Sequence, residues 1–226
     1  MSRKICAITA ATSGLGRALC NKFAENGYGL IIHSRKEIEL THLAEKLKKK
    51  FKIRVKAFVG DLLQSEICKS LGQTLASEKC RVLINNAGEA CPGLPLEELK
   101  AEQIEKLISV NLKVPIFLSK AMMTVAGATV ININSIMALE PKSKRSVYSA
   151  VRAGLMGFTE AMFAEAQEKD MRFIGVYPSR IKTRPEYEFG METEEVAAKI
   201  FNFYENETGS KLILDGRPPK FKKETK

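Results

Sequence analysis

Three residues in the second half of the chain have side chains suited to proton transfer. Tyr148 and Arg152 stand four residues apart in the stretch VYSAVRAGLMGF, whose spacing predicts a helix with both side chains on one face. Ser135 lies upstream, at the end of the apolar run VININS. A tyrosine hydroxyl can protonate a carbonyl oxygen, a serine hydroxyl can polarise it, and a neighbouring cation stabilises a phenolate. The set suits reduction of a carbonyl, although two hydroxyls at this separation identify no enzyme on their own.

Length and composition predict one folded unit. The 226 residues are 45% hydrophobic and 27% charged, which is ordinary for a globular protein. Because no run of about eighteen apolar residues occurs, we expect no membrane span and no membrane partner. We expect residues 1–216 to form a single domain and residues 217–226 to form a basic C-terminal tail.

The formal charge of +10 is compatible with nucleic acid, an anionic membrane or a phosphorylated cofactor. Much of the excess lies in the run KLKKKFKIRVK and in the tail RPPKFKKETK. Both segments hold too few aromatic residues for a base-stacking platform. We interpret them as a solvated helix end and a solvated tail, and we predict no nucleic-acid partner.

The cysteines indicate neither disulfides nor a metal site. The five residues show no CxxC motif and no Cys/His metal spacing; they are Cys6, Cys20, Cys68, Cys80 and Cys91. Their odd number suits reduced, half-buried thiols, which favours a cytoplasmic location.

Short β-rich runs alternate with longer segments of helical spacing along the whole chain. The predicted strands are KICAITA, GLIIHS, IRVKAFV, RVLIN, ATVININ, RFIGVY and KLILD. The predicted helices are Leu15 to Glu25, Lys36 to Lys50, Ser65 to Ser77, Leu96 to Met123, Val147 to Lys169 and Thr193 to Tyr204. This alternation predicts an α/β fold in three layers: a doubly wound, Rossmann-like parallel sheet of about seven strands with helices on both faces. Ligands of such folds bind outside the carboxyl ends of the strands.

The turn after the first strand is suited to phosphate binding. In TAATSGLGRAL, small residues lead into a helix that opens at Gly14. Glycine lets backbone N–H groups approach a phosphate at a helix N-terminus. Taken alone, such a turn serves equally well to start any helix. Polar groups at later strand ends, in VGDLL and NNAG, strengthen the interpretation as a cofactor site.

These motifs resemble the short-chain dehydrogenase/reductase family from Lys4 to about Gly216. The family's TGxxxGxG turn is matched by Thr9, Gly14 and Gly16, with Ala10 in place of the first glycine, and its NNAG motif is present in full. The resemblance implies cofactor contacts from Thr9, Ser13, Gly14, Leu15, Gly16, Ser34, Arg35, Asp61, Leu62, Asn86, Ala87, Gly88, Tyr148, Arg152, Pro178, Ile181 and Thr183.

The resemblance also implies the catalytic residues. Asn111, Ser135 and Tyr148 match three of the family's four catalytic positions, and Arg152 stands where the family has lysine. The implied reaction interconverts a small-molecule carbonyl and an alcohol, for example a 3-oxoacyl thioester or another ketone, by hydride transfer with tyrosine as general acid or base.

Arg35 indicates which nicotinamide cofactor is used. The second strand ends in HSR, with no acidic residue to bind a ribose 2′-hydroxyl. Arg35 can bind a 2′-phosphate bidentately, whereas the simpler alternative is a surface arginine before the next helix. We predict a preference for NADP(H) over NAD(H).

The arginine at position 152 leaves two hypotheses open. It supplies a positive charge beside Tyr148 and can reach the nicotinamide ribose, but arginine does not readily release a proton to a relay. The chain is therefore an active, slow reductase or a catalytically impaired NADP-binding protein that acts by interaction. We favour the enzyme, because Asn111, Ser135 and Tyr148 are all present.

The last part of the chain suggests an open pocket and self-association. Ser179 replaces the glycine of the family's PGxxxT segment, and only a short stretch separates Thr183 from the last predicted helix, where relatives usually carry a longer substrate lid. We predict a homodimer or homotetramer, from the resemblance and from Leu155, Phe158 and Met162 on an outer helix face.

Overall fold

Seven strands form one parallel sheet at the centre of the molecule. A computed structural model describes residues 4–183, 187 and 189–218. The strands are β1 (Ile5–Ile8), β2 (Gly29–Ser34), β3 (Val55–Val59), β4 (Val82–Asn85), β5 (Thr129–Ile133), β6 (Arg172–Pro178) and β7 (Lys211–Leu214). They pair in the order β3-β2-β1-β4-β5-β6-β7, and each pair is parallel. The predicted doubly wound sheet is confirmed.

Helices cover both faces of the sheet. They are α1 (Gly14–Glu25), α2 (Glu37–Phe51), α3 (Ser65–Ser77), α4 (Ala101–Ile108), α5 (Val114–Met122), α6 (Ser146–Glu165) and α7 (Thr193–Asn206). Alternate residues of a strand point to opposite faces, so Cys6 and Ile8 of β1 pack with α1, α2 and α7, whereas Ala7 packs with α3, α5 and α6. Within the described residues, no helix combines the length and apolar character needed to cross a bilayer.

The prediction of one helix from Leu96 to Met123 is wrong. A short 3-10 turn at Leu96–Glu98 precedes α4, and a π-helical segment at Ser109–Lys113 joins α4 to α5. In this segment the N–H of Val114 donates to the carbonyl of Ser109, five residues back. Pro115 follows and has no N–H to continue an α-helical ladder, which explains the change of pitch. The last predicted long helix likewise ends early, at Glu165.

β3 forms an edge of the sheet and exposes Lys56 and Val59. One expectation about packing needs correction, namely that three apolar residues form an outer face of α6. Leu155 is only 1% exposed, and Phe158 and Met162 pack against the core below α6. These residues therefore give no support to self-association, which stays a prediction.

Candidate active site

The turn after β1 closes around two glycines at the start of α1. Ser13 caps the helix, since its Oγ accepts the N–H of Gly16 at 3.0 Å. A Cβ on Gly16 would overlap the carbonyl oxygen of Ala10, so only glycine fits there. A Cβ on Gly14 would lie 3.3 Å from Cα of Thr183, which places the segment after β6 directly against this turn. Because the first amides of a helix have no acceptor within the helix, this turn suits an anion.

Ala10 occupies a backbone conformation that favours glycine. Its φ is +51°, in the left-handed region, where a side chain costs about 1 kcal/mol. Three hydrogen bonds hold it there: its N–H donates to His33 Nδ1 at 3.4 Å, and its carbonyl accepts from Ser13 N–H at 3.1 Å and from Asn86 Nδ2 at 3.2 Å. The strained turn is thus kept in shape by its neighbours.

The NNAG motif fastens the ends of β1 and β4 together. The Oγ1 of Thr9 accepts the N–H groups of Asn86 and Ala87, each at 2.9 Å. The Asn86 amide in turn donates to the Thr9 carbonyl at 3.0 Å and to Ser13 Oγ at 3.2 Å. Thr9, Ser13, Asn86 and Ala87, all predicted cofactor contacts, are therefore brought together.

His33 also takes part in this site, although its residue type and position in the sequence did not predict this. Its ring is buried; Nδ1 accepts from Ala10, so Nε2 carries the proton and donates to the Gly60 carbonyl at 3.0 Å. Burial lowers the pKa of His33, against a smaller opposing effect of the hydrogen bond to Gly60. Asp61 raises this pKa and Arg35 lowers it, each to a smaller extent. The neutral ring bridges two strand ends that border the site.

The ends of β2 and β3 carry opposite charges. Arg35 Nη1 lies 3.7 Å from Asp61 Oδ2, and the arginine side chain is largely exposed. Asp61 also accepts the N–H of Leu63 at 3.1 Å, which fixes its carboxylate. The Ser34 hydroxyl is hydrogen-bonded to that of Thr12 at 2.7 Å. Arg35 is therefore placed at the strand end and is held there by a weak, exposed ion pair.

Some of the residues predicted to contact the cofactor do not present their side chains to the site. The side chains of Leu15 and Leu62 are buried in the two cores, so any contact of theirs to a cofactor would come from the backbone. Pro178 ends β6, and Ile181 forms an isolated parallel bridge with Met191. The segment from Pro178 to Thr183 thus runs from the sheet to the glycine turn.

Arg152 lies at the centre of the residues predicted to be catalytic. Its side chain is buried, with only 6% of the residue exposed. Nη1 donates to the Ile133 carbonyl and Nη2 donates to Asn111 Oδ1, each at 2.9 Å. Its Cζ lies 4.9 Å from the centroid of the half-buried Tyr148 ring. The guanidinium therefore faces the tyrosine ring, as the helical spacing predicted, and is also bound to two other elements.

The π-helical segment turns Asn111 inward to meet this charge. Asn111 is completely buried, and its side chain also clamps the backbone of Glu89: Oδ1 accepts the Glu89 N–H at 3.1 Å and Nδ2 donates to its carbonyl at 3.2 Å. Gly88 leaves room for the pair, since a Cβ there would lie 3.0 Å from Arg152 Nη2 and 3.1 Å from Asn111 Oδ1. The glycine of NNAG thus admits the guanidinium.

Ser135 is oriented by a neighbour that the sequence analysis missed. Its Oγ accepts the N–H of Met137 at 3.2 Å, which leaves its O–H free to donate elsewhere. Asn134 accepts the Ser135 N–H at 2.9 Å and donates to the Arg152 carbonyl at 3.0 Å. The serine and the helix that carries Tyr148 are therefore joined through one buried amide. The only sign of this role in the sequence was the position of the asparagine, directly before the serine at the end of the strand.

These residues fit a nicotinamide dinucleotide. The compact turn at Gly14 and Gly16 presents helix amides for a pyrophosphate, and Arg35 stands at the next strand end. The Arg152 Nε, buried and without a partner among the described residues, adds an unsatisfied donor among the predicted catalytic residues. In the same residues no group of three His, Cys, Asp or Glu side chains could hold a metal ion.

Comparison with known proteins identifies the family. A model of the short chain dehydrogenase family matches residues 4–192. Sulfoacetaldehyde reductase 2 of Chromohalobacter salexigens is 32% identical over 79% of this chain and 73% of its own length. A human 3-oxoacyl-(acyl-carrier-protein) reductase is 30% identical over 94% of this chain and 97% of its own length. The chain belongs to the short-chain dehydrogenase family, whose members are oxidoreductases that bind a nicotinamide cofactor.

Solved structures agree on the fold. L-sorbose reductase of Gluconobacter frateurii, solved with NADPH and L-sorbose, superposes with a TM-score of 0.87 over 96% of each chain at 22% identity. A bulky-bulky ketone specific alcohol dehydrogenase from Comamonas testosteroni gives a TM-score of 0.86 over 97% of this chain and 88% of its own at 24% identity. The chain has the Rossmann-like architecture of this family.

Protonation of His33 is expected to destabilise the native state. Because its folded pKa is lowered, the unfolded chain binds the proton first as pH falls below about 6.5, and native stability is lost in that range. Urea unfolding followed from pH 7.5 to pH 5 should show a steeper loss for the native protein than for His33→Gln, which does not titrate. His42→Gln, at the exposed second histidine, is the matched control and should keep the native slope. Equal slopes for native and His33→Gln would contradict the role of the neutral ring.

Proposed function

We propose that the chain is an NADP(H)-dependent oxidoreductase that interconverts a small-molecule carbonyl and an alcohol. The observation that carries the proposal is the placement of Tyr148 over the buried, permanently charged Arg152, on a helix joined by Asn134 to the Ser135 segment. The cofactor would supply or accept the hydride. The substrate class includes a 3-oxoacyl thioester or another ketone, which two relatives' names support.

In this proposal each side chain has a distinct task. During reduction Tyr148 gives its hydroxyl proton to the carbonyl oxygen, and during oxidation its phenolate removes the proton of the alcohol hydroxyl. Ser135 donates its free O–H to the same oxygen, since its own oxygen already accepts from Met137. Arg152 holds a fixed positive charge nearby. Its two acceptors are neutral oxygens, so the charge is available to stabilise the phenolate or the developing oxyanion.

One observation favours the second hypothesis, an impaired NADP-binding protein. Two nitrogens of Arg152 are committed to protein acceptors, and a guanidinium does not release its proton near neutral pH. A proton relay through this position would therefore need another route. We favour the enzyme because Asn111, Ser135 and Tyr148 retain an arrangement that cofactor binding alone does not require.

The NADP(H) preference rests on Arg35 and its surroundings. A 2′-phosphate would give the guanidinium a charge-assisted bidentate partner stronger than the 3.7 Å contact to Asp61. A protein of related fold, a short-chain dehydrogenase from Sphingobium yanoikuyae, was solved with NADPH.

We retain two further predictions. A homodimer or homotetramer is supported by Phe117, which is 60% exposed on α5. A cytoplasmic location is supported by the five free cysteines.

Variants of the catalytic pair test the reaction. Tyr148→Phe should lower NADPH oxidation with a reactive diketone at least about 100-fold, because the proton donor is lost. Arg152→Met, which removes the charge, should also lower turnover. Arg152→Lys should retain turnover but lose about 1–3 kcal/mol of stability, since one ammonium replaces two well-placed donors. NADPH binding should persist in all three.

Tyr204→Phe is the matched control, because this hydroxyl bonds to that of Tyr28, directly before the start of β2 and away from the carboxyl ends of the strands, and should not affect turnover. If the native and lysine forms both bind NADPH and neither reduces any carbonyl tried, the enzyme hypothesis is wrong and the binding hypothesis takes its place.

Exchange of the charge at position 35 tests the cofactor preference. Arg35→Asp should weaken NADPH binding by about 10- to 100-fold and reverse the preference towards NADH, because one charge-assisted partner of the 2′-phosphate is replaced by a repelling carboxylate. Calorimetric Kd values for both cofactors supply the ratio. Lys49→Asp makes the same charge change near the far end of α2 and should leave the ratio unaltered. Equal affinities of the native protein for NADH and NADPH would refute the assignment.

A further inference from the structure

A second arginine, with little of its side chain exposed, lies between two carboxylates at the end of the described chain. Arg217 Nη1 and Nη2 donate to the Glu140 carboxylate at 2.6 and 3.0 Å. Its Nε and Nη2 donate to Asp215 at 2.8 Å each. The Arg217 side chain is only 10% exposed, so water screens this cluster far less than a surface ion pair. The packed chain therefore extends into the segment predicted as a solvated tail.

Glu140 belongs to the turn that begins at Ser135. The Ala138 N–H donates to the Ser135 carbonyl at 3.0 Å, and the Glu140 N–H donates to the Ile136 carbonyl at 2.8 Å. Ser135 therefore stands at one end of a compact hydrogen-bonded turn and the carboxylate of Glu140 at the other. An interaction that holds Glu140 in place therefore also limits the movement of Ser135.

The same C-terminal segment also holds the segment after β6. The Gly216 N–H donates to Ser179 Oγ at 2.9 Å, and the Ser179 N–H donates to the Leu214 carbonyl at 2.9 Å. Ser179 precedes the segment that reaches Thr183 and the glycine turn. Residues 215–217, which we name the C-terminal clamp, thus bind both loops that border the candidate site. The serine in the family's glycine position supplies the acceptor for this contact.

The charges of the clamp depend on one another. The hydrogen bonds from Arg217 lower the pKa values of Asp215 and Glu140. Each carboxylate in turn helps to raise the pKa of Arg217, with the larger contribution from Asp215. Proximity of Asp215 works against ionisation of Glu140, so the two carboxylates repel each other unless the guanidinium lies between them.

We propose that Arg217 is a positioning residue for the reaction: through Glu140 it fixes the turn that presents Ser135 to the carbonyl oxygen. The inference rests on the proposed function for its catalytic consequence, but the ordering of the turn is a property of the protein itself. Arg217 lies beyond residues 4–192, the part of the chain that matches the family model.

The experiment compares Arg217→Ala and Arg217→Lys in the full chain, with two readouts. Amide hydrogen exchange of residues 135–140 should rise about tenfold or more in the alanine variant, because two repelling carboxylates lose their bridge. The kcat for carbonyl reduction should fall about tenfold while KM for NADPH stays unchanged, because a displaced donor affects the reacting oxygen and not the dinucleotide. Lysine should restore part of both effects.

Arg54→Ala is the matched control. It removes a bidentate ion pair to Glu78, at 2.8 and 2.9 Å, near the amino end of β3. It should leave exchange at residues 135–140 and kcat at the native values. If Arg217→Ala does not fold, Glu140→Gln provides the milder loss of the same pair and should show the same direction of change.

Amide hydrogen exchange at the native rate at residues 135–140, in a folded Arg217→Ala or Glu140→Gln variant, would overturn the proposal. Faster exchange with unchanged kcat would also overturn the positioning role. If the native protein reduces no carbonyl, the proposed function fails by itself. In that case, faster exchange in the alanine variant would still establish the clamp.

Discussion

Burial of the Arg152 guanidinium is the constraint on which the rest of the site depends. Burying a group that cannot lose its charge costs free energy unless fixed acceptors bind its N–H groups, and here they bind Nη1 and Nη2. The acceptors here come from the end of β5, at Ile133, and from Asn111 in the π-helical segment. Gly88 leaves the space that the guanidinium fills. The charge therefore ties α6, the sheet and the segment between α4 and α5 into one rigid group around Tyr148.

The other strand ends are joined in the same manner, by single polar side chains that bridge neighbours. Asn86 and Thr9 connect β4 to the glycine turn, and His33 connects that turn to the end of β3. The candidate catalytic and cofactor residues are consequently held by backbone acceptors of the sheet and not by loop contacts alone. Such preorganisation is what a hydride transfer requires, since small displacements of a donor have large effects on rate.

The sequence was sufficient for features that depend on local pattern. Alternating apolar runs predicted the sheet and its helices, and spacing predicted that Tyr148 and Arg152 share a helix face. Features set by distant partners were not predictable. The sequence around Asn111 predicts a continuous helix. The structure has a π-helical turn there, because Pro115 lacks an N–H and the Asn111 side chain has buried partners. Arg217 looks like one more charge in a basic tail, because its partner Glu140 is remote in sequence.

The central claim is that Arg152 and Asn111 act as one buried unit, and a double-mutant cycle on the free energy of unfolding tests it most directly. Arg152→Met, Asn111→Ala and the double variant would be compared with the native protein by urea titration. The account predicts a coupling energy of about 1 kcal/mol or more, because each single substitution already breaks the shared hydrogen bond. Additivity of the two substitutions to within about 0.3 kcal/mol would contradict it.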